Sequence, residues 1–111
     1  MRLALPRRLG ALLWMAGGAG AACAQGAPAV QPPARTAVCV TCHGQLGMGA
    51  APDTPHIAAQ PEIYLVAQLR AFRSGARKHE VMNVIARSLS DEDIAALADW
   101  YSRVKIEVRA P

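Results

Sequence analysis

The sequence predicts an all-α domain of three to four helices. Three observations carry that expectation. Apolar residues recur at helical spacing over 61–73 and again over 91–104. Ser90 followed by Asp93 reads as a capping box, with Asp in place of the usual Glu or Gln. No segment alternates apolar and polar residues as a half-buried strand would. The 111 residues suffice for one domain, and three cysteines are too few for a disulfide-dense scaffold.

The N-terminal part reads as an export signal. Positions 1–8 hold Arg2, Arg7 and Arg8 and no acid, and an apolar run follows over 9–16. That run fades into glycines and alanines, and Ala22-Cys23-Ala24 has the small-x-small form of a signal-peptidase site. Residues 1–24 are therefore expected to be a signal peptide, cleaved after Ala24, with the mature chain in the periplasm. An uncleaved anchor is disfavoured, because a spanning helix needs about 20 strongly apolar residues. A lipoprotein role for Cys23 is disfavoured because Gly20 stands where a Leu-like residue is usual. With the signal removed, nine basic residues face eight acids, and the formal charge falls from +4 to +1. The basic excess of the whole chain is then no sign of a nucleic-acid partner.

The mature chain begins with a leader. Residues 25–35 contain Pro28, Pro32 and Pro33, which forbid a helix through them, so this stretch is expected to be a linker. The domain proper is expected over 36–108. A short helical turn is plausible from Thr36 to Gly44. Residues 44–60 are rich in Gly and Pro and predict a loop. Pro61 suits a first helical position. Leu65, Leu69 and Phe72 then share one face, flanked by Tyr64 and Val66. Gly75 is the expected C-cap, with Arg70 and Arg73 placed well for the helix dipole. A short apolar segment spans 81–86. The last helix is expected from about 91 to 104, with Ile94, Leu97, Ala98, Tyr101 and Val104 on one stripe. A core of this size is thin and calls for a covalent or metal staple.

Cys39-Val40-Thr41-Cys42-His43 supplies one. It is the C-x-x-C-H attachment sequence for c-type haem. Cysteines three apart on a helical turn share a face, so both sulfurs can reach the vinyl groups of one porphyrin. His43 follows directly and is placed as the proximal iron ligand. A zinc site would need further ligands, and His56 and His79 fit no common finger spacing. A thioredoxin-like dithiol would sit near a βαβ pattern, which is absent. A plain disulfide is open to any exported chain, as is coincidence, and the five-residue match behind an export signal outweighs both. The expected fold is thus three to four helices around one haem c, covalent through Cys39 and Cys42.

A six-coordinate iron needs a second axial ligand. Met48 lies five residues after His43 and would have to loop round the haem edge. Met82 lies 39 residues on, past a whole helix, and can return from the other side. Its competing role is core packing, since Met is a common gap-filler. His56 and His79 remain as bis-histidine alternatives.

From Cys39 to about Tyr101 the chain resembles class I cytochromes c, and within them the bacterial c4/c553 type. The matching pieces are Cys39 to Gly44, Pro52 and Pro55, Ala58 to Gln60, Tyr64 to Leu69, Phe72 to Arg77, Met82, and Leu89 to Ile94. The resemblance implies that Met82, seven residues before the Leu89-Ser90-Asp91 step, is the axial methionine. It implies that the Pro55 carbonyl accepts the ring N–H of His43. It also marks Arg77 as a partner for a haem propionate or an acidic surface. The chain departs from the family in three ways. The helix before the first Cys is stunted by Pro32 and Pro33. His56 and Ala59 stand where Lys and Gly are common. Only one haem domain is present, where c4 proteins carry two.

The expected function is single-electron transfer in the periplasm, between a donor and an acceptor redox protein, with no catalysis of its own. The alternative is a cytochrome subunit of a periplasmic or membrane-bound dehydrogenase or oxidase complex, motivated by the stunted first helix. A haem enzyme or gas sensor would need a five-coordinate iron, against which Met82 argues.

Overall fold

The computed structural model describes residues 30–111. The expected signal peptide 1–24, Cys23 within it and residues 25–29 of the leader lie outside the described residues. Among those described there are four α-helices and no strand. A 3-10 turn, Ala34–Thr36, leads directly into α1, Ala37–His43. Then come α2, Glu62–Ser74, α3, Glu80–Arg87, and α4, Asp91–Ser102.

Local chemistry sets these limits. Pro61 is the N-cap of α2 rather than its first residue; its ψ of 135° is extended, and the helix starts at Glu62. Gly75 closes α2 with φ 80°, a left-handed conformation that glycine adopts without a Cβ clash. The Ser90 hydroxyl accepts from the Asp93 N–H at 3.0 Å, and the Asp93 carboxylate accepts from the Ser90 N–H at 3.0 Å. This reciprocal box satisfies two donors that a helix start otherwise leaves unpaired. α4 ends two residues short of the expected point. Its last carbonyls, on Trp100 and Tyr101, accept from Arg103 and Val104 in tightened turns.

The core is the packing of α2 on α4. Leu65 from α2, Leu89 from the turn before α4, and Ile94, Leu97, Ala98 and Tyr101 from α4 form one buried cluster. The expected stripe on α4 is therefore buried as far as Tyr101. On α2, Leu65 and Phe72 are buried, whereas Tyr64 is exposed. Ile94 and Leu97 are almost fully buried, and each contributes about 1.5–3 kcal/mol of hydrophobic stabilisation.

Arginines fasten the helices. Arg73 of α2 donates to the Leu89 carbonyl at 3.1 Å and to the Asp91 carboxylate at 2.6 Å, and Arg70 lies 3.8 Å from the same carboxylate. Half of the basic cluster in 70–78 is thus committed to the α2–α4 joint. Arg35 reaches across the sequence to the Ser88 carbonyl at 3.0 Å and the Ser88 hydroxyl at 2.7 Å, with Asp93 3.6 Å away. Ordered contacts therefore begin within the stretch expected to be linker, because Arg35 binds the turn between α3 and α4.

The Arg73 guanidinium holds the Asp91 carboxyl below its ordinary pKa, first by its hydrogen bond and then by its charge. A depressed folded-state pKa gives stability that is complete above the ordinary carboxylate range. It is lost as the pH falls through the folded value. The pair is exposed, so the effect is modest. Asp91→Asn should lower the unfolding midpoint at neutral pH and flatten its fall between pH 5 and 3. Urea unfolding across that range checks this, and an acid limb identical to the parent's would show that the pair contributes nothing.

Candidate functional site

The site begins on α1. Cys39 and Cys42 stand one turn apart, Cys39 half-buried and Cys42 exposed, and their sulfurs are not bonded to each other. His43 is the last residue of α1 and is buried. Its Nδ1–H donates to the Pro55 carbonyl at 2.9 Å. A carbonyl can only accept, so this bond fixes the tautomer and leaves Nε2 free to ligate a metal.

Pro55 is held in place by the loop between α1 and α2. The Gly47 carbonyl accepts from both the Ile57 and Ala58 N–H groups, at 2.8 and 3.1 Å. Gly47 has φ 82°, and a Cβ there would stand 2.8 Å from the Tyr101 ring and 2.9 Å from Ile57. The Ala59 N–H donates to the Tyr101 carbonyl at 2.9 Å, which ties the loop to the end of α4. Ala59 pays for that contact with a φ of 58°, in the left-handed region where a Cβ is disfavoured. The family's preference for Gly here has this physical basis.

An apolar cleft opens beside His43. It is lined by Cys39 and His43 of α1, Ile57 of the loop, Leu65 and Leu69 of α2, Met82 of α3, and Leu97, Ala98 and Tyr101 of α4. Met82 is the one α3 side chain in that lining. Met48, His56 and His79 are not part of it. His56 Nδ1 instead accepts from the Gly49 N–H at 2.8 Å, and His79 Nδ1 from the Met82 N–H at 3.2 Å. Arg77 also lies outside the lining. It donates to the Gln68 side chain at 2.6 Å and sits 4.5 Å over the Phe72 ring.

Burial pushes the Cys39 thiol above its ordinary pKa, against the hydrogen bond from Tyr101 and the charge of Arg35. Burial likewise raises the Tyr101 phenol, and the Cys39 sulfur beside it adds to the effect. The Tyr101 hydroxyl is buried without a well-formed hydrogen bond, and a thiol is a weak partner for it. Among the described residues no cluster of three or more His, Cys, Asp and Glu side chains is poised to hold a metal ion by itself. These features suit an apolar prosthetic group better than a bare cation.

A family model for cytochrome c matches residues 29–104. The chain belongs to the cytochrome c family. It is 43% identical, over 87% of its own length, to the thiosulfate dehydrogenase electron acceptor of Thiomonas intermedia (strain K12). It is 45% identical over 58% of its length to cytochrome c-554(548) of Halomonas halodenitrificans, and covers 81% of that protein. It is 37% identical over 68% of its length to cytochrome c4 of Pseudomonas aeruginosa. It spans only 41% of the Thiomonas protein and 37% of the Pseudomonas one.

Membership brings a covalent haem c and electron transfer, and the all-helical architecture agrees with the class I fold. The residues fit that cofactor. The donor set on the cleft is an imidazole nitrogen and a thioether sulfur, a pair that haem iron takes. The unpaired Cys39 thiol lines the cleft, the unpaired Cys42 stands one turn further along α1, and most of the remaining lining is apolar. Two roles next to this site, at Asn83 and at His79, escaped sequence reasoning. Asn83, an amide inside the apolar segment 81–86, was visible as an anomaly in that run. His79 as a helix cap was not, because Ser, Thr, Asp and Asn are the usual caps.

The loop allows a paired test of backbone strain. Gly47→Ala should destabilise by more than about 1 kcal/mol, from its positive φ and the collision with Tyr101. Ala59→Gly should stabilise by about 0.5 kcal/mol, since relief of strain exceeds the added chain entropy. Denaturant midpoints of the two variants, moving in opposite directions, check both.

Proposed function

We propose that this protein is an exported electron carrier. In this reading Cys39 and Cys42 hold haem c through thioethers, and His43 and Met82 ligate its iron. The observation that carries the reading is the convergence of Cys39, His43 and Met82, from two separate helices, on one apolar cleft. When bound, the haem supplies a one-electron ferric–ferrous couple. The chain's own residues bind it, orient it and keep water away. The bond to Pro55 fixes the His43 ring and raises its basicity as a ligand. Ile57, Leu65, Leu69, Leu97 and Ala98 provide low-dielectric walls. The Arg77 guanidinium braces the Phe72 end of α2 rather than lining the cleft.

The N-terminal pattern over 1–24 supports export to the periplasm. Among the described residues no helix is long and apolar enough to cross a membrane. The partner proposed is a thiosulfate-oxidising dehydrogenase. Two relatives, from Thiomonas intermedia and Stutzerimonas stutzeri, are named as electron acceptors of thiosulfate dehydrogenase, at 43% and 44% identity. A stable subunit role is a second reading, favoured by one feature. Beside α4 a groove is lined by Leu46, Trp100, Val104 and Lys105, and the Trp100 ring N–H is buried there without a partner.

Two outcomes follow. The purified protein should retain its haem in acid acetone and show a methionine–iron charge-transfer band in the ferric state. Met82→Ala should abolish that band and lower the potential, because Met opposite His raises it. Persistence of the band would refute the assignment. Mixed with a thiosulfate dehydrogenase and thiosulfate, the ferric protein should be reduced at a rate that saturates with its concentration. A rate no greater than for an unrelated cytochrome c of similar potential would exclude that partner.

A further inference from the structure

α3 buries only part of its apolar surface. Ala86 is buried and Met82 and Ile85 are half-buried, while Val81 and Val84 are exposed. Yet this helix carries Met82 to the cleft. Its first turn is held by polar bonds, and two side chains make them.

His79 caps α3. Its Nδ1 accepts the N–H of Met82 at 3.2 Å, which satisfies a donor in the first turn that has no partner within the helix. The His79 N–H donates in return to Oδ1 of Asn83 at 2.7 Å. Asn83 spends both amide protons on the preceding helix and loop. Its Nδ2 donates to the Phe72 carbonyl at 2.6 Å and to the Arg77 carbonyl at 2.8 Å. One half-buried amide thereby ties the end of α2, the 75–79 turn and the start of α3 into a single unit. The His79 ring meets Phe72 edge-on, with centroids 6.3 Å apart. Met82 is bonded to one member of this unit through its own N–H and adjoins the other in sequence.

We propose that His79 and Asn83 are positioning residues for Met82. They form a clamp that holds its thioether ready for the iron and resists its displacement by external ligands. The proposal rests on Met82 being the axial ligand. The clamp touches neither Cys39, Cys42 nor His43, so its loss leaves the haem attached.

The test is imidazole binding to the ferric holoprotein at fixed pH, followed by loss of the methionine–iron band. Imidazole must displace Met82, so its apparent affinity reports how firmly that side chain is held. His79→Ala, which loses one hydrogen bond, should tighten imidazole binding by about tenfold, and Asn83→Ala, which loses three, by at least about tenfold. His79→Asn, which restores a good N-cap, should recover most of the parent value. Ser90→Ala is the control. It removes the cap of α4 and lowers global stability without touching the clamp. Affinities in both clamp variants that match Ser90→Ala would overturn the proposal while Met82 remained the ligand. A parent protein whose imidazole affinity and band are unchanged by Met82→Ala would instead remove the reading beneath it. His79 is exposed, so its variants test the clamp even where Asn83→Ala fails to fold.

Discussion

The hydrogen bond from His43 to the Pro55 carbonyl is the constraint around which the site is arranged. At 2.9 Å it joins the end of α1 to the middle of a loop that has no regular structure of its own. A loop can present one carbonyl reliably only if its backbone is pinned elsewhere. Here the Gly47 carbonyl, accepting twice, folds the loop on itself, and the Tyr101 carbonyl fastens its far end to α4. The left-handed backbone at Gly47 and at Ala59 is the cost of that arrangement. Burial of Tyr101 and Ile94 against α2 then fixes α4, so the orientation of one imidazole depends on the main helix packing.

Much of this was legible in residue patterns, and the limits of legibility are physical. The haem attachment motif lies in five consecutive residues, so it survives without any tertiary knowledge. The stripe from Ile94 to Tyr101, the box of Ser90 and Asp93, and the cap at Gly75 are also local, and the fold keeps all three. What sequence could not supply were bonds between distant segments. Nothing near Arg35 hints that it will find Ser88, and nothing near Arg73 selects Asp91 over the other acids. The extent of α3 shows the same limit. Its residues read as a short apolar segment, but Val81 and Val84 face outward and polar bonds define its first turn.

The basic residues near the end of α2 show how charge is reassigned by structure. As a sequence run they resemble a patch for an acidic partner. In the fold, Arg73 serves a carbonyl and a carboxylate, Arg70 leans on the same carboxylate, and Arg77 lies over an aromatic ring. Lys78 alone of the four has no such engagement among the bonds and ion pairs of the described residues. The cluster is therefore engaged largely within the fold, at the α2–α4 joint and against Phe72.

The two sides of the cleft differ in how they are secured. On the His43 side, the imidazole follows Cys42 directly, and a hydrogen bond to Pro55 locks its ring. A covalent link through the neighbouring cysteine would leave it almost no freedom. The Met82 side has no covalent tie. Its helix is short, exposes Val81 and Val84, is joined to α2 by the Asn83 amide and is capped by His79. Opening of the Met82 side of the cleft would then begin at α3. The strength of a few polar contacts between residues 72 and 83 decides how often it does.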